Sequence, residues 1–101
     1  MNNWRSERKG ERAFFCNEVE VVGYGPRRSS DLSEGGMFLE SIAGYPIGTV
    51  LQLRFKLSEN DPAPIDVQAR VLYTVNGIGV GLEFLDLPAE ARTKIAKVVA
   101  G

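Results

Sequence analysis

Between residues 65 and 84 every second position is apolar. Ile65, Val67, Ala69, Val71, Tyr73 and Val75 share one parity, Asn76-Gly77 interrupts them, and Ile78, Val80, Leu82 and Phe84 resume the alternation. A period of two places successive side chains on opposite faces of an extended chain, so this stretch reads as two antiparallel strands with one apolar face. Asn-Gly is a strong signal for a two-residue hairpin loop between them. Tyr73 falls on the core face in this reading. Gly79 and Gly81 occupy the opposite parity and leave the other face of the returning strand bare, where something can pack closely.

The same period recurs upstream. Leu51, Leu53, Phe55 and Leu57 alternate with Gln52, Arg54 and Lys56, again with Phe55 on the core side. Residues 13–24, AFFCNEVEVVGY, are rich in aromatic and β-branched types and read as a strand ended by Gly25-Pro26. The polar run from Arg27 to Ser33 and the apolar Met37-Phe38-Leu39 read as a second and third strand broken at Gly35-Gly36. Asn60-Asp61-Pro62 marks a loop. After Leu87-Pro88 the period lengthens to 3.6, with Ala91, Ile95 and Val98 on one stripe, which predicts a helix over about 88–99. Five or six short strands followed by one amphipathic helix predict a mainly β fold: a small six-stranded antiparallel barrel with the helix over one opening. Closure removes the free strand edges that the alternative, an open sheet covered by the helix, would expose.

Composition narrows the chemistry. A chain of 101 residues carries one domain. Its 12 Lys and Arg nearly cancel 13 Asp and Glu, so a net charge of −1 gives no general attraction to nucleic acid or an acidic membrane. His is absent, which removes the usual general base and the commonest metal ligand. A single cysteine, Cys16, allows neither an internal disulfide nor a thiolate cluster, and in an apolar strand it reads as a small buried hydrophobe. No run of 18 apolar residues and no apolar stretch after the first methionine occur, so the expectation is a cytoplasmic protein without a membrane span, a cofactor or a bound metal. No nucleophile motif or paired carboxylates accompany these absences, and no enzyme is expected.

Two local patterns remain. Residues 8–12, Arg-Lys-Gly-Glu-Arg, lie in a charged segment, 1–12, whose lack of hydrophobic periodicity predicts a flexible arm. Two guanidinium forks four residues apart can each grip a phosphate or lie on a purine ring. The second pattern is Asp31-Leu32-Ser33-Glu34-Gly35-Gly36. In an extended strand Asp31 and Ser33 share a face, where a carboxylate can accept from a guanine edge beside a hydroxyl, and Gly35 and Gly36 admit a close-lying ligand. Taken alone, each pattern also reads blandly, as a solvated tail and as a polar turn.

Together, and in this order, the RxxxR of Arg8 to Arg12, the DxSxxG of Asp31 to Gly36, the Gly81-Leu82-Glu83-Phe84 strand and the terminal helix resemble the PilZ domain family, over residues 5–99. The resemblance implies a six-stranded barrel over 13–101 and a bacterial receptor for the second messenger cyclic di-GMP. It further implies that Arg8 and Arg12 contact guanines and phosphates while Asp31, Ser33 and Gly36 line the docking surface, with Lys9 and Gly35 in secondary roles. Rearrangement of the arm would then signal to a protein partner. The alternative is a protein-interaction adaptor of the same fold that binds no nucleotide. A third reading, a barrel for single-stranded nucleic acid, asks for aromatics among basic residues on a strand face; it is disfavoured because Tyr73 and Phe55 fall on core faces and, past residue 28, 6 Lys and Arg stand against 9 Asp and Glu.

Overall fold

The computed structural model describes residues 13–42 and 44–100, with side chains from Asn17 onward. Arg8, Lys9, Arg12 and Trp4 lie outside the described residues, as does the side chain of Cys16.

Six strands and one helix follow in order: β1 (Ala13–Val21), β2 (Gly25–Leu32), β3 (Gly36–Glu40), β4 (Val50–Phe55), β5 (Ile65–Val75), β6 (Gly79–Leu85) and α1 (Ala89–Ala100). All neighbouring strands are antiparallel, and the spatial order β1-β2-β3-β6-β5-β4 closes into a barrel. The closing seam is short: among the described residues Val19 to Val21 of β1 pair with Phe55 to Leu53 of β4, and the Val22 amide adds one bond to the Gln52 carbonyl at 2.9 Å. Nearby, the Asn17 side chain donates to the Lys56 carbonyl at 3.0 Å.

Alternation fills the barrel. Val19 and Val21 of β1, Leu51, Leu53 and Phe55 of β4, Ile65, Val67, Ala69 and Val71 of β5, and Val80, Leu82 and Phe84 of β6 point inward and are buried. Phe55 and Phe84 stack at 6.2 Å between centroids. At one end α1 covers the opening with Ala91 and Ile95, and Val99 packs beside them in place of the expected Val98. An i, i+4 repeat keeps 91, 95 and 99 on one line of the helix. Lys94 pins the β4–β5 loop to this helix, reaching Asp61 Oδ2 at 2.7 Å and donating to the Ala63 carbonyl at 3.3 Å. At the other end Tyr45 enters the core, edge-on to Tyr24 at 5.2 Å, and its buried hydroxyl has no hydrogen-bond partner among the described residues.

Three local expectations need correction. Gly25-Pro26 does not end the first strand but opens β2; the turn lies at residues 22–24, closed by the Tyr24 amide donating to the Val21 carbonyl. The β5–β6 loop holds three residues, because Val75 pairs with Gly79 and the Ile78 amide donates to the Val75 carbonyl, with Gly77 at φ 75°. Tyr73 does not face the core. A register shift between Val71 and Tyr73 inserts an extra residue into β5, so Val71 stays buried while Leu72 and Tyr73 both turn outward. Such a bulge reverses side-chain parity from that point on. Val75, one strand period further, is accordingly exposed.

Candidate functional site

The Asp31–Gly36 segment forms the connection from β2 to β3, at the same end of the barrel as α1. The side chains of Asp31 and Ser33 both bond backbone. The Phe38 amide donates to Asp31 Oδ1 at 2.8 Å. A second register shift, between Ser29 and Asp31, lets the Ser29 hydroxyl donate to the Asp31 and Phe38 carbonyls at 2.8 and 3.2 Å. β2 stops at Leu32, and Ser33 curls into the turn instead of continuing on Asp31's face. Its hydroxyl is buried, accepts from the Gly35 and Gly36 amides at 3.2 Å each, and faces the Gly36 carbonyl at 3.3 Å. The expectation that Asp31 and Ser33 present their side chains together to a ligand is therefore corrected: a serine hydroxyl satisfies its turn's amides more locally than an extended strand would allow.

Gly36 is needed because β6 runs against it. A Cβ there would overlap the Leu82 carbonyl oxygen, part of the backbone that pairs with β3. Gly35, by contrast, is exposed, and a Cβ would meet only Ser33 Oγ at 3.9 Å. Of the two glycines, Gly36 sets how closely β3 approaches β6.

Beyond this turn, the outer face of β2 and β3 and the tip of the β5–β6 loop bound an open concavity of about 890 Å³. Arg27, Arg28, Ser30, Phe38, Glu40, Ser41, Ile42, Gly77 and Ile78 line it. This size suits a small-molecule ligand. Arg27 spans its rim, donating to the Pro26 and Tyr24 carbonyls at 2.9 and 3.3 Å and to Ser41 Oγ at 3.4 Å. Arg28 lies between Glu18 and Glu40 in the strand register. Asp31, Ser33 and Gly36 do not line the concavity; of the three, Asp31 touches its wall by holding the Phe38 amide, and Ser29 bonds the Phe38 carbonyl. β1 begins with Ala13 opposite Leu32, so the segment carrying Arg8, Lys9 and Arg12 joins the barrel beside this turn.

Phe38, the outward alternate to buried Met37, and Tyr73, which the strand parity places on the core face, meet on the surface. Their rings lie 6.3 Å apart on the outer face, Tyr73 is 44% exposed, and both lean over the glycines of β6. The signal was present in Gly79 and Gly81, each flanked in register by a residue on β3 and one on β5.

Among the described residues no cluster of three or more His, Cys, Asp and Glu could hold a metal ion, and no helix is long and apolar enough to cross a membrane.

The PilZ domain model matches residues 6–101, which takes in both motifs, the barrel and the helix. The chain belongs to the PilZ domain family. This is a family of cyclic di-GMP receptors, and its domains bind and adapt instead of catalysing. Among solved structures, the Bacillus subtilis inhibitor of motility MotI/DgrA is similar, with a TM-score of 0.81 and 19% identity. The similarity covers 93% of this chain and 49% of that one, so this PilZ chain spans about half the length of its structural neighbour. No curated protein matches the chain.

Proposed function

We propose that this PilZ chain is a cytoplasmic receptor for cyclic di-GMP that passes the signal to a protein partner. The observation that carries the reading is the family match across residues 6–101, which spans both RxxxR at Arg8 to Arg12 and DxSxxG at Asp31 to Gly36. Arg8 and Arg12 grip the phosphates and stack on guanine, since guanidinium serves both purposes. Lys9 adds charge. Asp31 accepts from a guanine edge, for which a carboxylate with two oxygens is suited. Ser33 and Gly36 serve by shape, holding the turn and the β3–β6 approach, and Gly35 lets the ligand come near the exposed backbone. The entry of the arm beside Leu32 supports its closing over the same face, and the rearranged arm forms the output. The similar Bacillus subtilis protein is named an inhibitor of motility, which supports an output through a protein target.

Calorimetric titration with cyclic di-GMP tests the reading, with GTP and cyclic di-AMP as controls. Saturable, guanine-selective binding is expected. Charge-assisted hydrogen bonds contribute about 1.5–3 kcal/mol each, so Arg8→Ala/Arg12→Ala should weaken binding at least about 100-fold. No heat and no thermal shift at high ligand would overturn the receptor reading in favour of the nucleotide-independent adaptor.

A further inference from the structure

Phe38 of β3, Gly81 of β6 and Tyr73 of β5 stand in one row across three adjacent strands. The absent side chains in the middle strand decide where the flanking rings lie. A Cβ on Gly79 would overlap the Leu39 carbonyl oxygen and meet the Phe38 ring at 2.7 and 2.9 Å, and a Cβ on Gly81 would run into the Tyr73 ring, meeting its hydroxyl oxygen at 2.8 Å. Both rings therefore fold down over bare backbone, and both glycines are buried beneath them. The ring planes differ by 33°, so the two faces form one shallow, continuous aromatic surface.

This surface is built, not incidental. Tyr73 reaches it only because the β5 bulge turns it outward. Phe38 is held at both backbone polar groups, its amide by Asp31 and its carbonyl by the Ser29 hydroxyl. The Phe38 ring also lines the 890 Å³ concavity, together with Arg27 and Arg28.

We infer that Phe38 and Tyr73 form a stacking platform for a purine base, and that one guanine of cyclic di-GMP lies flat on it. The inference rests on the receptor reading and adds a contact outside the two motifs. An aromatic face accepts any flat base, and Arg27 and Arg28 line the adjoining concavity together with Glu40. Asp31 thereby acts twice, since in fixing the Phe38 backbone it also sets the ring against which the base it reads is stacked. Gly81 is a positioning residue, since a side chain there would lift the Tyr73 ring, whereas one at Gly79 would strike the Leu39 carbonyl as well as the Phe38 ring.

The test uses the full chain, with Phe38→Leu, Tyr73→Leu and Tyr73→Phe titrated with cyclic di-GMP beside the wild type and Arg8→Ala/Arg12→Ala. Proton NMR of the ligand follows guanine H8, which moves upfield when a base lies over an aromatic face. Leucine keeps the glycines covered while removing the π-face. Stacking contributes about 1–3 kcal/mol per base, so each Leu variant should weaken binding about 5- to 150-fold and diminish the H8 shift. Tyr73→Phe should bind within about 3-fold of wild type, since the ring is retained. Wild-type binding that is lost in the arginine variant but unchanged in both Leu variants, with H8 unmoved, would overturn the platform and leave the receptor intact. Absence of wild-type binding would overturn both.

Discussion

Replacing Gly36 by alanine should damage the barrel itself, before any ligand is considered. The added Cβ would overlap the Leu82 carbonyl oxygen and crowd the Leu82 carbonyl carbon at 2.9 Å and Glu83 Cα at 3.2 Å. None of these atoms can rotate away, because all are backbone in a strand paired on both sides. Overfilling a packed site costs about 1–3 kcal/mol. The displacement also pulls on the Phe84 amide, which donates to the Gly35 carbonyl at 2.8 Å, and on the Ser33 amide, which donates to the Gly36 carbonyl at 2.9 Å. Weakening these at about 1 kcal/mol each brings the loss to about 3–5 kcal/mol. For a domain of this size each kcal/mol corresponds to about 4–8 °C, so the melting temperature should fall on the order of 12 to 40 °C. Differential scanning calorimetry without ligand measures it, with Gly35→Ala as the matched control. The control should stay within about 1 kcal/mol of wild type, because its Cβ meets nothing closer than 3.9 Å. A Gly36→Ala protein that melts within about 3 °C of wild type would refute the backbone-overlap argument.

Two further outcomes follow from the barrel ends. Tyr45→Phe removes a buried hydroxyl without a partner among the described residues and should leave stability unchanged or raise it by about 1–2 kcal/mol, read from urea unfolding; a loss above about 1 kcal/mol would mean the hydroxyl is satisfied after all. The Asp61 carboxyl is held below the usual carboxylate range by its hydrogen bond from Lys94 and then by the Ala63 amide. A carboxyl with a depressed folded-state pKa stabilises above its unfolded value, near about 3.9, and that contribution disappears as the pH falls through the folded value. The melting-temperature gap between wild type and Lys94→Met should therefore be present at pH 7 and close in acid; a gap independent of pH between 7 and 2 would remove Asp61 from the account.

The barrel was legible because four of its strands carry a two-residue period over a buried face, and only one face of a closed sheet can be wet. What escaped was local. Nothing in Val71-Leu72-Tyr73 marks the extra residue that turns Tyr73 outward; the bulge is settled by pairing with β6 and by the glycines that leave room for the ring. Likewise, Asp31-x-Ser33 located the β2–β3 connection correctly, but a strand-based reading of its faces ignored how readily a serine hydroxyl bonds the amides two and three residues on. One ground against single-stranded nucleic acid, a Tyr73 in the core, falls with that correction; the acidic excess past residue 28 still stands against it.

The brevity of the β1–β4 seam bears on how the protein fails. A cylinder of strands comes apart first where the fewest ladder bonds must break together, and here that is the stretch from Val19 to Val21 against Leu53 to Phe55. Parting this stretch leaves five pairings in place and turns the barrel into an open sheet with β1 at one margin and β4 at the other. Each margin presents unpaired amides and carbonyls beside valine, leucine and phenylalanine, a template for another chain in the same state. Crowded or heated samples should therefore assemble by exchanging β1 between molecules, a route to dimers that needs no change in the interface the barrel already makes with itself.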